Sequence, residues 1–276
     1  MLPSLKPLTI GAAMISDMLP TYRDWLLEGQ RDLEIQDGCD PAVLDSDWQA
    51  RAQFIRDQLD GYTGRIGIHG PFLGLNIMGY DPKVRQVVSD RMLQGLEFAA
   101  AIGASHMVMH SPFIFFGSTF LPHSPSAGQA DQLKLIHATL ERVLPVAAQA
   151  KCTIVIENIQ DTNPGPLLAL VRSFDSPYVR MSLDTGHAMI THCNGGGPPP
   201  DQWVREAGSL LAHVHLQDTD GNLDRHWTPG DGNINWYALF EALGELAETP
   251  RLILELRDRK AIPRGAAYLV ERGLAQ

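Results

Sequence analysis

The stretch HVHLQDTDGNLDRH, residues 213–226, packs three histidines and three aspartates behind an apolar run. Acidic loops are common on protein surfaces, so this charge makes a site only if other segments aim matching side chains at the same place. They do. His69, His110, Glu157, Asp184, His215 and Glu255 each stand at, or within two residues of, the end of a short apolar run. Glu34, near the end of another such run, is a further candidate. Gathering these carboxylates without a cation would cost repulsion and desolvation, which a metal removes. Mixed histidine and carboxylate ligands suit Zn²⁺, Mn²⁺, Co²⁺ or Fe²⁺ better than Ca²⁺ or a thiolate-loving ion. Beyond the run ends, SLDTGHAMI sets His187 one helical step past Asp184, and LDRHWTPGDGNINW supplies Asp224 and His226 on one extended segment. His213 and His215 share a strand face. His215 lies closer to the mouth and is the expected ligand, with His213 packed beneath it.

The elements that must position these residues repeat along the whole chain. Apolar, β-rich runs occur at 8–15, 32–36, 65–69, 106–110, 153–157, 179–184, 212–217 and 252–256. They read as buried parallel strands, near-continuously apolar. Segments of helical period separate them, including 81–103, 131–150 and a closing one at 263–275. Eight strands, each followed by a helix, predict an α/β fold, a (β/α)₈ TIM barrel of one domain over residues 1–276. All strands of such a barrel end on one face, where barrel enzymes keep their active sites. The competing doubly wound sheet wants a Gly-rich phosphate loop after an early strand, and IGAAMI is a poor one. The segment HCNGGGPPP, 192–200, predicts an irregular insertion between the sixth strand and its helix.

Composition narrows the function further. A net charge of −10 argues against a nucleic-acid partner, which requires clustered Lys and Arg. No run of about 18 apolar residues predicts a membrane span. The N-terminal residues lack the pattern of a secretory signal. Cys39, Cys152 and Cys193, an odd number without C-x-x-C spacing, read as reduced thiols, so a cytoplasmic protein is expected.

From IHGPF through IVIEN, LDTGH and HVHLQD to LILEL, the chain resembles the xylose-isomerase-like barrel superfamily, which includes sugar isomerases, epimerases and endonuclease IV. The resemblance to the epimerases implies one divalent metal held by Glu157, Asp184, His215 and Glu255, with the two glutamates as acid and base and His187 on the substrate. One departure is Gly221, where sugar 3-epimerases usually carry an Arg after the metal-binding histidine. The resemblance to endonuclease IV implies three zinc ions on nine ligands, adding His69, His110, His187, Asp224 and His226 to those four. RHWTPGDGNINW is also similar to a stretch of hydroxypyruvate isomerase-like enzymes, so His226 alone does not discriminate.

Two functions follow. In the first, an isomerase or epimerase of a small sugar or sugar phosphate works through an ene-diolate with Glu157 and Glu255 as the acid–base pair. In the second, a multinuclear site hydrolyses a small phosphoester. The first is preferred, and the cofactor expected is one to three divalent ions per chain, Mn, Zn, Co or Mg. A metal-free binding barrel would leave the ligand ring idle. His69, His110 and His187 double as candidate substrate contacts. Phe113 opens the Phe-rich stretch 111–125, which reads equally as a lid over substrate or as an oligomer contact, as in a homodimer, or a loop folded onto the barrel rim. Trp227 is a candidate pocket wall, Trp236 a core residue, and Arg257 either reads an anionic substrate group or pairs with Asp258.

Overall fold

The computed structural model describes residues 8–113 and 128–276. Eight parallel strands close a barrel in sequence order: β1 Gly11–Met14, β2 Leu33–Ile35, β3 Ile66–His69, β4 His106–His110, β5 Thr153–Glu157, β6 Val179–Asp184, β7 Leu211–Leu216 and β8 Arg251–Leu254. The apolar runs lack clean alternation because both faces of each strand are buried. Period two still sorts them. Leu33, Ile35, Met107, Met109, Ile154, Ile156, Met181, Leu183, Val214 and Leu216 join the main hydrophobic cluster between sheet and helices. Their strand neighbours, among them Glu34, Gly67, His106, Glu157, Ser182, Asp184, His213 and His215, face the barrel interior. This barrel therefore carries its apolar core outside the sheet and a polar column within it.

Register stacks that column. His110 pairs with Glu157 across β4 and β5, and Asp184 pairs with His215 across β6 and β7. A register shift in β6 between Met181 and Ser182 brings Ser182 opposite His213. The 81–103 segment forms the helix Pro82–Ala101, capped by the Asp81 carboxylate on the Lys83 N–H at 2.7 Å.

Two expectations need correction. The 131–150 segment is two helices, Gly128–Leu140 and Val143–Gln149, rather than one. Pro145 has no N–H to give the turn before it, and its ring crowds the carbonyl four residues back, so the helix restarts. Residues 192–200 are not an insertion ahead of the helix after β6. The helix Thr185–Gly195 begins directly on β6 and runs through His192, and Pro200 opens the helix Pro200–Ala207. Only 196–199 lies between them. Gly196 ends the first helix at φ 68°, a left-handed angle that glycine adopts without strain, and proline suits the first position of the second.

Candidate metal centre

At the C-terminal mouth of the barrel, Glu157, Asp184, His215 and Glu255 converge, with one ligand atom of each within 4.8 Å of the others. His215 Nδ1 lies 3.1 Å from Glu157 Oε1 and 3.3 Å from Glu255 Oε2. Neighbouring side chains hold the carboxylates. Asp184 caps the helix that follows it, accepting the His187 N–H at 2.7 Å. Asn158 clasps the Asp184 backbone on both sides, accepting its N–H at 2.7 Å and donating to its carbonyl at 3.2 Å. Gln217 Nε2 donates to Asp184 at 3.1 Å and Asp224 at 2.9 Å, while Gln36 Nε2 donates to Glu255 at 2.7 Å.

Two further triads flank this cluster: His69, His110 and Glu157 on one side, and His187, Asp224 and His226 on the other. Backbone carbonyls orient the outer histidines. His69 Nδ1 donates to the Gly70 carbonyl at 2.9 Å, His187 Nδ1 to Asn158 at 2.9 Å, and His226 Nδ1 to Glu255 at 3.0 Å. A carbonyl only accepts, so each of these rings leaves Nε2 facing the cavity. His226 holds a left-handed φ of 50°, rare for a side-chain-bearing residue. Its N–H to Gln217 Oε1 at 2.9 Å and its carbonyl to the Arg257 N–H at 3.0 Å over-determine that angle.

Electrostatics at the mouth are those of a site short of positive charge. Burial raises the Asp184 carboxyl to about 6, with the Glu157 and Glu255 charges adding to it. Burial works against a charged His187, yet Asp184, Asp224 and Glu157 outweigh it and push its pKa up to about 10. His226 is raised to about 9 against burial, chiefly by Asp224 and Glu255. His110 goes the other way, to about 3, through burial and the neighbouring histidines. Protons on the histidines thus stand where a cation would neutralise the carboxylates.

The donor set fits such a cation. Glu157 Oε2 and Asp184 Oδ2 are buried without any hydrogen-bond partner. An orphaned buried carboxylate oxygen is costly unless a positive charge satisfies it. Three carboxylates and an imidazole make a mainly oxygen site with one nitrogen, suited to a divalent first-row ion. The cavity above it measures about 380 Å³ and is lined by His69, His110, Glu157, His187, Asp224, His226 and Glu255, together with Gln36, Phe72 and Arg259.

Three expected substrate contacts lie elsewhere. Phe113 is 3 % exposed and packs into the hydrophobic core, so it does not line the cavity. The remainder of the 111–125 stretch lies outside the described residues. Trp227 pairs its backbone with Asp218 and turns its ring outward beneath the Arg225 guanidinium, 5.2 Å from the ring centroid. Arg257 is exposed and donates to the Asp224 carbonyl at 3.0 Å rather than reaching the cavity or Asp258. Arg259, two residues on, is the guanidinium that lines it. Trp236 is a core residue as expected, its indole N–H donating to Asp218 at 3.0 Å.

Sequence reasoning left Gln217, Asn158, Gln36 and Asp218 without a role. Gln217 follows His215 by two residues, so strand period was the signal available for it; the others are read only from their contacts. Asp218, fully buried, accepts the Thr219, Gly230 and Ile234 N–H groups as well as Trp236, and so ties the loop bearing Asp224 and His226 to the barrel.

Fold and site together define a barrel with a polar mouth whose side-chain groups fit a metal ion. The chain belongs to the xylose isomerase-like TIM barrel family, whose model matches residues 33–273. A curated relative is an uncharacterised protein of Methanocaldococcus jannaschii, 26% identical over 70% of this chain and 65% of its own length. Another is the 3-dehydro-D-guloside 4-epimerase of Escherichia coli, 24% identical over 60% of this chain. The chain spans just under two thirds of the length of each, 65% and 64%. Among solved structures, a Thermus thermophilus protein soaked with ZnCl2 is 25% identical, with a TM-score of 0.74 over 97% of this chain and 98% of that one. A D-tagatose 3-epimerase-like protein is 22% identical, with a TM-score of 0.76 over 97% of both chains, and shares the fold. Among the described residues, no helix is long and apolar enough to cross a membrane.

Proposed function

We propose that the protein is a divalent-metal-dependent isomerase or epimerase of a small sugar or sugar phosphate, with Glu157 and Glu255 as its acid–base pair. The observation that carries this reading is the convergence of Glu157, Asp184, His215 and Glu255 from four consecutive strands beneath a cavity of about 380 Å³. That volume is at the small end of ligand sites (~300–1,000 Å³), which suits a monosaccharide. Sugar epimerases among the chains of similar fold, and the curated epimerase at 24% identity, support the same class.

Glu157, Asp184, His215 and Glu255 would hold the ion, which supplies Lewis-acid polarisation of a carbonyl oxygen and neutralises the charge that builds up there. The chain's own groups do the rest. One of the two glutamates takes the proton from the carbon beside the carbonyl, leaving an ene-diolate, and the other returns a proton to the opposite face or the adjacent carbon. Each carboxylate has two oxygens, so one can serve as ligand while the other handles the proton. Gln36 fixes Glu255 for this task through its Oε1. His187, held by Asn158, turns its Nε2 toward a substrate hydroxyl.

A second reading rests on a specific observation, the two outer triads. With His69, His110 and Glu157 on one side and His187, Asp224 and His226 on the other, the mouth offers places for three ions, two of them sharing Glu157, that could clamp a phosphoester. The ZnCl2-soaked protein of similar fold agrees with zinc chemistry in either case. Elemental analysis of protein purified without chelator or added metal separates the two. About one Mn²⁺ or Co²⁺ per chain, with deuterium exchange from solvent into a ketose, supports the isomerase. Two or three zinc ions and turnover of a small phosphoester would overturn it. His69→Ala should leave the central ion in a one-metal enzyme but remove an ion and most of the rate from a multinuclear one.

A further inference from the structure

Beneath the central cluster lies a second polar layer that the proposed chemistry does not use. Glu34 on β2, His106 on β4, Ser182 on β6 and His213 on β7 are all 0% exposed. Glu34 Oε1 accepts from His215 Nε2 at 3.0 Å, while the other face of the same ring, Nδ1, meets Glu157 and Glu255. Glu34 Oε2 lies 3.1 Å from His213 Nε2 and 3.8 Å from His106 Nε2, and His213 Nδ1 is anchored by the Ser182 hydroxyl at 2.8 Å.

We infer that Glu34 is a positioning residue for His215: by taking the Nε2–H it fixes the ring so that Nδ1 is the nitrogen turned to an ion held among the carboxylates at the mouth. The inference rests on the reading of His215 as a metal ligand. His215 differs from the mouth histidines His69, His187 and His226, whose Nδ1–H groups go to backbone carbonyls and whose Nε2 atoms face the cavity. His215 is reversed, and no carbonyl serves its inner nitrogen; Glu34 takes that part. A carboxylate is the stronger acceptor, so it also raises the basicity of the ring and its strength as a ligand. An apolar residue would fill the barrel floor at lower desolvation cost, so a carboxylate at this depth needs a partner that uses it. Three imidazoles converge on it, His215 Nε2 at 3.0 Å, His213 Nε2 at 3.1 Å and His106 Nε2 at 3.8 Å.

The test uses Zn²⁺ alone as the probe, on metal-free wild type, Glu34→Gln and Asp184→Asn. Isothermal titration reads the tightest equivalent, and long-range ¹H–¹⁵N spectra of the zinc-loaded protein read the two His215 ring nitrogens. The expected result is a ~10- to 100-fold loss of affinity in Glu34→Gln, with a shifted His215 Nε2 resonance and a metal-free thermal midpoint close to wild type. If Glu34→Gln fails to fold, Glu34→Asp, which keeps the charge but withdraws it by one methylene, gives the same readout. Asp184→Asn weakened while the Glu34 variant binds as wild type, with unchanged His215 resonances, overturns the positioning role and leaves the site reading intact. Asp184→Asn binding as tightly as wild type overturns the ligand reading and the inference with it.

Discussion

Gly67→Ala measures how closely the barrel floor is packed. A Cβ on Gly67 would stand 1.9 Å from His106 Cε1 and 2.1 Å from its Nε2, far inside the ~3.5–4.0 Å of a normal contact. His106 cannot swing clear, because it is fully buried and its ring centroid lies 5.0 Å from that of His213. Overpacking of this kind costs ~1–3 kcal/mol. At about 2.1 cal/mol/K per residue, unfolding of 276 residues carries an entropy of about 0.6 kcal/mol/K, so the midpoint should fall by about 2 to 5 °C. Differential scanning calorimetry on chelator-treated wild type, Gly67→Ala, His106→Ala and the double variant gives a complete cycle. In the His106→Ala background the added methyl enters vacated space, so the two changes should be less costly together than separately, by about 1 kcal/mol or more. Strict additivity, or a Gly67→Ala midpoint within a degree of wild type, would refute the idea that the imidazole occupies the room this glycine leaves.

Three more expectations concern the mouth. Glu157→Gln should abolish turnover under either chemistry while leaving the circular dichroism spectrum unchanged; retained activity would remove Glu157 from the mechanism. Saturating metal at about 100 times its Kd should stabilise the fold by ~2.7 kcal/mol, a rise of about 5 °C over the chelated protein, and coincident melting curves would argue that the cluster binds no ion. Asp218→Asn replaces an acceptor oxygen with a donor amide facing N–H groups, an orphaning worth ~1–3 kcal/mol. A fall in midpoint together with weaker metal binding is expected, and unchanged curves would show that Asp218 does not hold the loop.

The strands were legible in the sequence because both faces of each are buried, which leaves apolar runs between helical segments. The site was legible because ligand-type residues recur at their ends, and Asp184 with His187 follows from the one-turn spacing. What was hidden depends on where chains pass in three dimensions. Phe113, Trp227 and Arg257 stand beside the site in sequence, yet one packs in the core and the others face outward. Conversely, Gln36, just after β2, and Arg259, at the start of the short 3-10 helix Arg259–Ala261, reach the cavity with no telling pattern. His106 begins its strand without a telling pattern, and the glycine that admits its ring, Gly67, stands across the β3–β4 pair. The division of 131–150 into two helices was missed in the sequence, although Pro145 explains it.

The loop held by Asp218 has a bearing on how such a barrel diversifies. Its two ends are fastened by one carboxylate and by the paired backbones of Asp218 and Trp227. Its tip, at Asn222 and Leu223, is exposed, and Leu223 keeps 58% of its surface open to solvent. The segment is therefore anchored at its base and open to solvent at its tip. Substitutions at Asn222 and Leu223 that keep the loop length should leave Asp224 and His226 in place.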